Sequence, residues 1–334
     1  MASRLPARTP FYKTGNGAAF LGDALEVLSD KSLDGTVDLI MTSPPFALKR
    51  KKEYGNVEAT EYVAWFLDFA RVFHRVLKPR GSLVIDIGGA WTKGQPTRSL
   101  YQYELLIELC RIPGYRFHLA QEFFWYNPSR LPSPAEWVTV RRERVKDAVD
   151  CIWWLCKDPH PKASNLKVLQ PYSESMEHLL KNGYKAKLRP SGHDISENFS
   201  KRNEGSIPPN LLQIANTESN SRYLRACRDK GLKPHPARFP SALPEFFIQM
   251  LTDPNDLVLD PFAGSNVTGE VCERLNRQWL AIDNVEEYLE ASKFRFDEFY
   301  ARMFPQDQAC KNLFVTEKRG YYVPKKRHRQ GGSR

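Results

Sequence analysis

Apolar residues in this chain occur both as short continuous runs and as longer repeats at helical spacing, a pattern typical of α/β proteins. The short runs predict buried strands at 37–40, 83–87, 117–126, 149–155, 257–260 and 279–283. Apolar positions three and four residues apart predict helices at 58–77, 100–112, 243–251, 266–275 and 285–301. Lys78-Pro79-Arg80-Gly81 is expected to end the first of these helices, and the strand at 149–155 to pair antiparallel with the one before it.

The strand at 37–40 leads into Ser43-Pro44-Pro45-Phe46. Neither proline has an N–H group, and each fixes its φ near about −65°. The carbonyls of Ser43 and Pro44 are therefore free at the carboxyl end of a strand, where open α/β sheets bind ligands. A hydroxyl, two stiff carbonyls and an aromatic ring suit a planar group that carries an amine. An ordinary Pro-Pro turn with Phe46 in the core would have the same sequence.

A second stretch with candidate site residues, 260–269, begins at the end of the strand at 257–260. Gly264 lets the backbone approach a ligand, and the following helix begins with free N–H groups. The spacing from Gly264 to Gly269 matches a phosphate loop, but Glu270 stands where that loop requires Lys. Asp283, at the end of the next strand, can accept hydrogen bonds from two ribose hydroxyls. The arrangement suits an adenosine without a pyrophosphate, which describes S-adenosylmethionine and not NAD.

Ser43-Pro44-Pro45-Phe46 together with Asp-Pro-Phe-Ala-Gly-Ser at 260–265 resembles the amino-methyltransferases of DNA that use S-adenosylmethionine. Within them the chain resembles the cytosine-N4 enzymes with the β-class order of motifs, closest to the PvuII-type enzymes of restriction–modification systems. The likeness runs from about Tyr12 to about Phe296 and includes 191–194 and 205–210. It implies a Rossmann-like mixed sheet with helices on both faces, a circularly permuted motif order and a loop-rich target-recognition lobe.

The resemblance also implies roles for individual residues. Asp23 would accept a hydrogen bond from the adenine amine of the cofactor, although its position equally suits a helix N-cap. Phe239 lies in the region that shelters the methionine end of the cofactor. Tyr126 is the aromatic residue predicted to face the pocket of the extruded base, while its aromatic neighbours could equally belong to the core. The remaining predicted cofactor residues are Asp260, Phe262, Gly264, Ser265, Thr268 and Asp283.

The methyl acceptor is predicted from residues 43–46. If the Ser43 hydroxyl and the Pro44 carbonyl accept the two hydrogens of the cytosine N4 amine, its nitrogen can become tetrahedral and attack the methyl group. Methylation at cytosine C5 would need a cysteine after a proline, and none of the six cysteines follows one. Adenine-N6 enzymes of this class usually carry Asp or Asn before Pro-Pro and Tyr after it, so Ser43 and Phe46 favour cytosine.

The distribution of charge favours DNA as the partner. The net charge is +10, and segment 157–234 has 14 Lys and Arg against 8 Asp and Glu, while 317–334 has 7 against 1. Lys49 and Arg50 belong to a basic run after the Ser-Pro-Pro-Phe stretch and could hold phosphates, or could simply be solvated. Segment 157–234, which contains His193, is interpreted as the target-recognition region. A target base must then leave the duplex, at a cost of a few kcal/mol.

Four regions are predicted: a catalytic half at 11–156, the target-recognition region at 157–234, a cofactor-binding half at 235–305 and a basic tail at 306–334. The lack of a bilayer-length apolar run and of a secretory signal predicts a cytoplasmic protein held near the nucleoid by DNA. Without a C-x-x-C pair, the cysteines are expected to be reduced and to bind no metal. Open alternatives are an adenine-N6 enzyme, an inert DNA-binding module, and methylation of RNA or protein. A cognate restriction endonuclease, acting without a stable complex, is a further possible partner.

Overall fold

A computed structural model describes residues 5–46, 59–92, 94–182, 203–217, 221–297, 299 and 301. Within them a nine-stranded mixed sheet has the order β1-β2-β9-β8-β3-β4-β6-β5-β7. Its strands are β1 (Tyr12–Lys13), β2 (Gly17–Leu21), β3 (Val37–Thr42), β4 (Leu77–Ile87), β5 (His118–Tyr126), β6 (Val149–Cys156), β7 (Leu211–Gln213), β8 (Leu257–Asp260) and β9 (Gln278–Asp283). The helices are α1 (Ala24–Val27), α2 (Ala59–Val76), α3 (Tyr101–Arg111), α4 (Glu174–Asn182), α5 (Arg222–Lys230), α6 (Ala242–Leu251), α7 (Val267–Arg274) and α8 (Glu286–Ser292).

Strand β3 lies at the centre of the sheet, parallel to β4 on one side and to β8 on the other. All six of its residues are buried because helices cover both faces, as is usual for parallel strands. One face packs on α1, α2 and α3 through residues such as Phe66 and Phe73. The other packs on α6, α7 and α8 through residues such as Phe246 and Phe247. The mixed α/β fold predicted from the sequence is confirmed.

Most predicted elements are present, with two differences at their ends. Helix α2 ends at Val76, just before residues 78–81, as predicted, but the chain enters β4 at once, so these residues lie within a strand. The pairing of β3 with β4 changes register between Val37 and Leu39, which accommodates Pro79. At the other end, α8 stops at Ser292 and a 3₁₀ turn, Lys293–Arg295, follows. Strand β6 pairs antiparallel with β5, as expected.

The described part of segment 157–234 is joined to the main body at both ends. Strand β7 extends the sheet by pairing parallel with β5. Helix α5 packs against the Lys293–Arg295 turn through Tyr223, Cys227 and Phe294. Residues 183–202, with His193, lie outside the described part, as do Lys49 and Arg50. Among the described helices, none combines the length and the apolar character that crossing a membrane would need.

Candidate functional site

A cleft of about 710 Å³ opens at the carboxyl ends of β3, β8 and β9. Because β3 and β8 are neighbours in the sheet, the Ser-Pro-Pro-Phe stretch and the glycine turn after β8 border the same cavity. Its volume lies in the range usual for sites that hold a small molecule or cofactor. The predicted residues that line it are Asp23, Ser43, Pro44, Pro45, Phe46, Phe239, Phe262, Gly264, Ser265 and Asp283.

Ser43 has a partner that the sequence did not reveal. Its hydroxyl donates a hydrogen bond to Oδ2 of Asp86 in the neighbouring strand β4, at 3.3 Å. Asp86 is only 3% exposed, and its Oδ1 is buried without a hydrogen-bond partner in the described part of the chain. Burial raises the pKa of Asp86 well above its usual range, and the nearby Asp150 carboxylate raises it further. A buried carboxyl group that keeps a free oxygen in a cleft is a candidate for proton transfer.

The ring of Phe46 lies against Gly88, which follows β4. A Cβ added to Gly88 would stand 2.5 Å from two ring carbons of Phe46, so the absence of a side chain makes room for the ring. The Gly88 carbonyl accepts a hydrogen bond from the hydroxyl of Tyr101, which holds this backbone in place. Phe46 therefore forms one wall of the cleft in a position set by the end of β4.

The glycine turn is held by Asp283. The carboxylate of Asp283 accepts hydrogen bonds from the Gly264 N–H at 2.7 Å and from the Val285 N–H at 2.9 Å. These contacts leave part of the acceptor capacity of the carboxylate to a ligand in the cleft. Burial raises the pKa of Asp283. Gly264 has φ +51°, and a Cβ there would approach the His235 ring to 3.1 Å, so a larger residue would narrow the cleft.

Asp260 and Thr268, two of the predicted cofactor residues, are not among the residues that line the cleft. Asp260 is 2% exposed and accepts hydrogen bonds from the hydroxyls of Thr42 at 2.8 Å and Thr268 at 2.7 Å, and from the Phe262 N–H at 3.2 Å. It thereby joins the end of β3, the glycine turn and α7. Burial raises the pKa of Asp260 to about 6. Asp260 therefore stabilises the glycine turn from its buried side.

Asp23 is the N-cap of α1 and also borders the cleft. Its carboxylate accepts from the Leu25 N–H at 2.8 Å and from the Glu26 N–H at 3.3 Å. One oxygen makes both contacts, so the other is free to accept a hydrogen bond from a ligand. The two roles considered for Asp23 are therefore compatible with each other.

Aromatic rings line the wall near the glycine turn. Phe262 packs against Trp65 and Phe69, with ring centroids 5.9 and 5.1 Å apart. Ser265 is held from behind by Arg295, whose guanidinium donates to the Ser265 carbonyl at 2.6 Å and to its hydroxyl at 3.1 Å. The Phe262 ring gives this wall an apolar surface next to the glycine turn.

Strand β5 contributes Trp125, with Asn127 just beyond its end, to the far side of the cleft, whereas Tyr126 does not line it. Successive residues of a strand point to opposite faces, so Tyr126 points away when its two neighbours point in. The contact predicted between Tyr126 and an extruded base stays a prediction. The Trp125 indole N–H donates to the Ile214 carbonyl at 2.8 Å, which orients the ring.

Two charged residues at this side were also missed by sequence reasoning. Arg130 donates to both oxygens of Asp150, with one contact of 2.9 Å, and both residues line the cleft. Asp150 lies on β6, two residues from Ile152, the cross-strand partner of Asp86, so the two carboxylates share one face of the sheet. A signal was present in the sequence, since Asp86 and Asp150 are lone acids within apolar strands.

The chain is similar to known proteins over most of its length. The family model described as DNA methylase matches residues 37–294. The Type II methyltransferase M.PvuII of Proteus hauseri is 55% identical over 292 residues, which are 86% of this chain and 86% of that protein. The Type II methyltransferase M.HpaI of Haemophilus parainfluenzae is 26% identical over 79% of this chain and 69% of that protein.

The fold comparison points the same way. The solved structure of PvuII DNA methyltransferase (cytosine-N4-specific) superposes with a TM-score of 0.71 and 46% identity, over 90% of this chain and 96% of the other. Since the family model covers most of the described sheet and both sides of the cleft, this chain belongs to the DNA methylase family.

Proposed function

We propose that this protein transfers a methyl group from S-adenosylmethionine to the exocyclic N4 of a cytosine that is extruded from duplex DNA. The observation that carries the proposal is the single cleft that has Ser43 and its partner Asp86 on one side and the Gly264 turn on the other. We also propose that it acts within a restriction–modification system, since its similar proteins are named as Type II methyltransferases.

The residues around the glycine turn fit S-adenosylmethionine. Gly264 leaves space for a ligand, Asp283 has acceptor positions for ribose hydroxyls, and Phe262 offers a ring to the adenine. Asp23 could accept a hydrogen bond from the adenine amine, and Phe239 would cover the methionine end. When bound, the cofactor supplies a methyl group on a positively charged sulfur. The protein's part is to place the acceptor nitrogen in line with that methyl group.

The acceptor amine would be held by Ser43 and Pro44. Their hydroxyl and carbonyl oxygens accept the two N4 hydrogens, and Phe46 stacks on the base, which contributes about 1–3 kcal/mol. As the carbon–nitrogen bond forms, N4 becomes positively charged and must lose one proton. Asp86, in its ionised form, lies 3.3 Å from the Ser43 hydroxyl and can receive that proton through it. Burial raises the pKa of Asp86, so its carboxylate binds a proton more strongly than an exposed aspartate does.

Gly88→Ala tests whether the position of Phe46 matters. The added methyl group would overlap the Phe46 ring, so we expect kcat for DNA methylation to fall about tenfold, in line with a partial loss of base stacking. The measurement is transfer of a labelled methyl group to duplex DNA. Gly15→Ala is the matched control, because no atom lies within 4 Å of its Cβ position. Equal rates for Gly88→Ala and the wild-type protein would contradict this role of Phe46.

The function is tested by expressing the protein with a plasmid in a host that lacks other methylation, and sequencing the plasmid for modified bases. N4-methylcytosine at one recurring sequence is the expected result. N6-methyladenine in its place would support the adenine alternative. If no base is modified, calorimetric titration with S-adenosylmethionine distinguishes an inert module, which need not bind it, from a methyltransferase of RNA or protein, which must.

The cellular location of the protein follows from the same proposal. An enzyme that modifies chromosomal DNA in a bacterium would act in the cytoplasm, near the nucleoid. Segment 157–234 is proposed to recognise the target sequence, because it is basic and lies between the two halves of the fold. A restriction endonuclease of the same specificity is the proposed functional partner, without a stable complex.

A further inference from the structure

The loop between β5 and β6, residues 127–148, displays large apolar side chains to solvent. Leu131 is 79% exposed, Val140 74% and Val145 85%. Both ends of the loop are at the cleft, since Asn127 and Arg130 line it at one end and Asp150 follows the other. Leu131 is therefore an exposed apolar side chain directly beside a residue of the polar cleft.

The loop is held in place by polar contacts of its own. The ammonium group of Lys146 donates to the Arg130 carbonyl at 3.1 Å, and the Asp147 N–H donates to the Ser133 carbonyl at 3.3 Å. The Asp147 carboxylate accepts from Arg98 at 2.7 Å, and Arg130 is fixed on Asp150. Leu131, directly after Arg130, is therefore presented at the rim of the cleft by a braced backbone.

The charge around these apolar residues is suited to nucleic acid. The loop contains five Arg and Lys against three Asp and Glu, and Arg141, Arg142 and Lys146 are exposed. Basic side chains bind phosphates, while an apolar side chain that enters a base stack fills space and unstacks a step. The combination of an apolar tip with basic neighbours therefore fits duplex DNA better than it fits an apolar protein surface.

We propose that this loop contacts the duplex and that Leu131 enters the base stack, where it occupies the space left by the extruded base. The inference rests on the proposed function, because it requires that the cleft receive a base from DNA. Its basis is the position of Leu131, one residue beyond the cleft residue Arg130 and almost fully exposed. A side chain placed there can fill the gap while the base occupies the cleft beside it.

The test compares Leu131→Ala with the wild-type protein on two duplexes that contain the recognised sequence. In one duplex the target cytosine is paired with guanine, and in the other it faces a mismatched base. We expect Leu131→Ala to methylate the paired duplex about 10- to 100-fold more slowly, since the variant no longer offsets the cost of opening the stack. On the mismatched duplex, where the cytosine is already loosely held, the two proteins should differ by less than about threefold.

Leu100→Ala is the matched control, since Leu100 is also an exposed leucine, at 60%, but lies at the N-terminus of α3 and not in the loop between β5 and β6. It should match the wild-type protein on both duplexes. Leu131→Met, which keeps most of the apolar volume, should restore the rate on the paired duplex. A second readout is the fluorescence of 2-aminopurine at the target position, which rises on unstacking and should rise less with Leu131→Ala.

Equal losses on both duplexes, or no loss on either, would overturn the inference. The inference would also be overturned if Leu131→Ala sedimented differently from the wild-type protein while its loss of rate was the same on both duplexes. Leu131 would then be a contact between subunits. These results differ from those expected if the proposed function is wrong. If it is wrong, the wild-type protein itself will not methylate the paired duplex.

Discussion

Ser43→Ala is expected to lower kcat for methyl transfer to duplex DNA by about 10²- to 10³-fold, the usual effect of removing one positioned hydrogen-bonding group from a transition state. The variant loses an acceptor for the N4 amine and also the link to Asp86 at 3.3 Å. The pyramidal nitrogen is then held only by the Pro44 carbonyl, and its proton has no direct path to a base. Single-turnover transfer of a labelled methyl group would measure the effect.

The loss should be confined to the chemical step. Ser43 is partly exposed, and its side chain makes one hydrogen bond within the described part of the chain, so the free energy of unfolding should change by less than about 1 kcal/mol. Calorimetry should give wild-type affinity for S-adenosylmethionine. Ser32→Ala, which removes an exposed hydroxyl in the 3₁₀ turn Lys31–Leu33 and away from the cleft, is the control and should keep the full rate. Wild-type kcat in Ser43→Ala would mean that the amine is held by other groups.

Asp260→Ala is expected to reduce the free energy of unfolding by about 3 to 5 kcal/mol, because it leaves three buried donors without an acceptor. They are the hydroxyls of Thr42 and Thr268 and the N–H of Phe262. Since these groups join β3, the glycine turn and α7, affinity for S-adenosylmethionine should fall as well. Chemical denaturation and calorimetry would measure the two effects. A loss of cofactor affinity with unchanged stability would show that Asp260 contacts the ligand after all.

Asp260→Asn separates the charge of this residue from its hydrogen bonds. Burial raises the folded-state pKa of Asp260 from 3.8 to about 6, so between these values the folded protein holds a proton that the unfolded chain has released. This contribution to stability is complete below pH 3.8 and is lost as the pH rises through 6, with a size of about 3 kcal/mol. Asparagine cannot ionise. The stability of Asp260→Asn relative to wild type should therefore increase from pH 4 to pH 8, and a constant difference would contradict the raised pKa.

The local pattern of apolar residues was sufficient to predict much of the fold. Apolar runs and helical repeats depend on neighbours in sequence, so strands such as β3 and helices such as α2 were predicted to within a few residues. The mixed α/β fold and membership of the methyltransferases were confirmed, because two motifs with strand and helix context are distinctive together. The roles assigned to single site residues remain predictions, even where the cleft places them side by side.

Sequence pattern could not show positions that depend on distant parts of the chain. In an all-aromatic stretch the phase of a strand cannot be seen, and at this cleft Trp125 is the lining residue beside the predicted Tyr126. The hydrogen bond between Asp260 and Thr42, which are 218 residues apart in sequence, is visible only in the structure. Helix α2 ends before residues 78–81, as predicted, but pairing with β3 also places Pro79 within β4.

The sequence alone determined the elements, the kind of chemistry and the two stretches that carry it, since each depends on residue type and on spacing over a few positions. Only the tertiary structure decided which side chains share the cleft. The cleft contains Asp86, Asp150 and Arg130 because their strands are adjacent in the sheet, although these residues are far apart in the chain. Strand order and burial arise from the packing of the whole chain, and they determine both the contacts and the pKa values on which the chemistry depends.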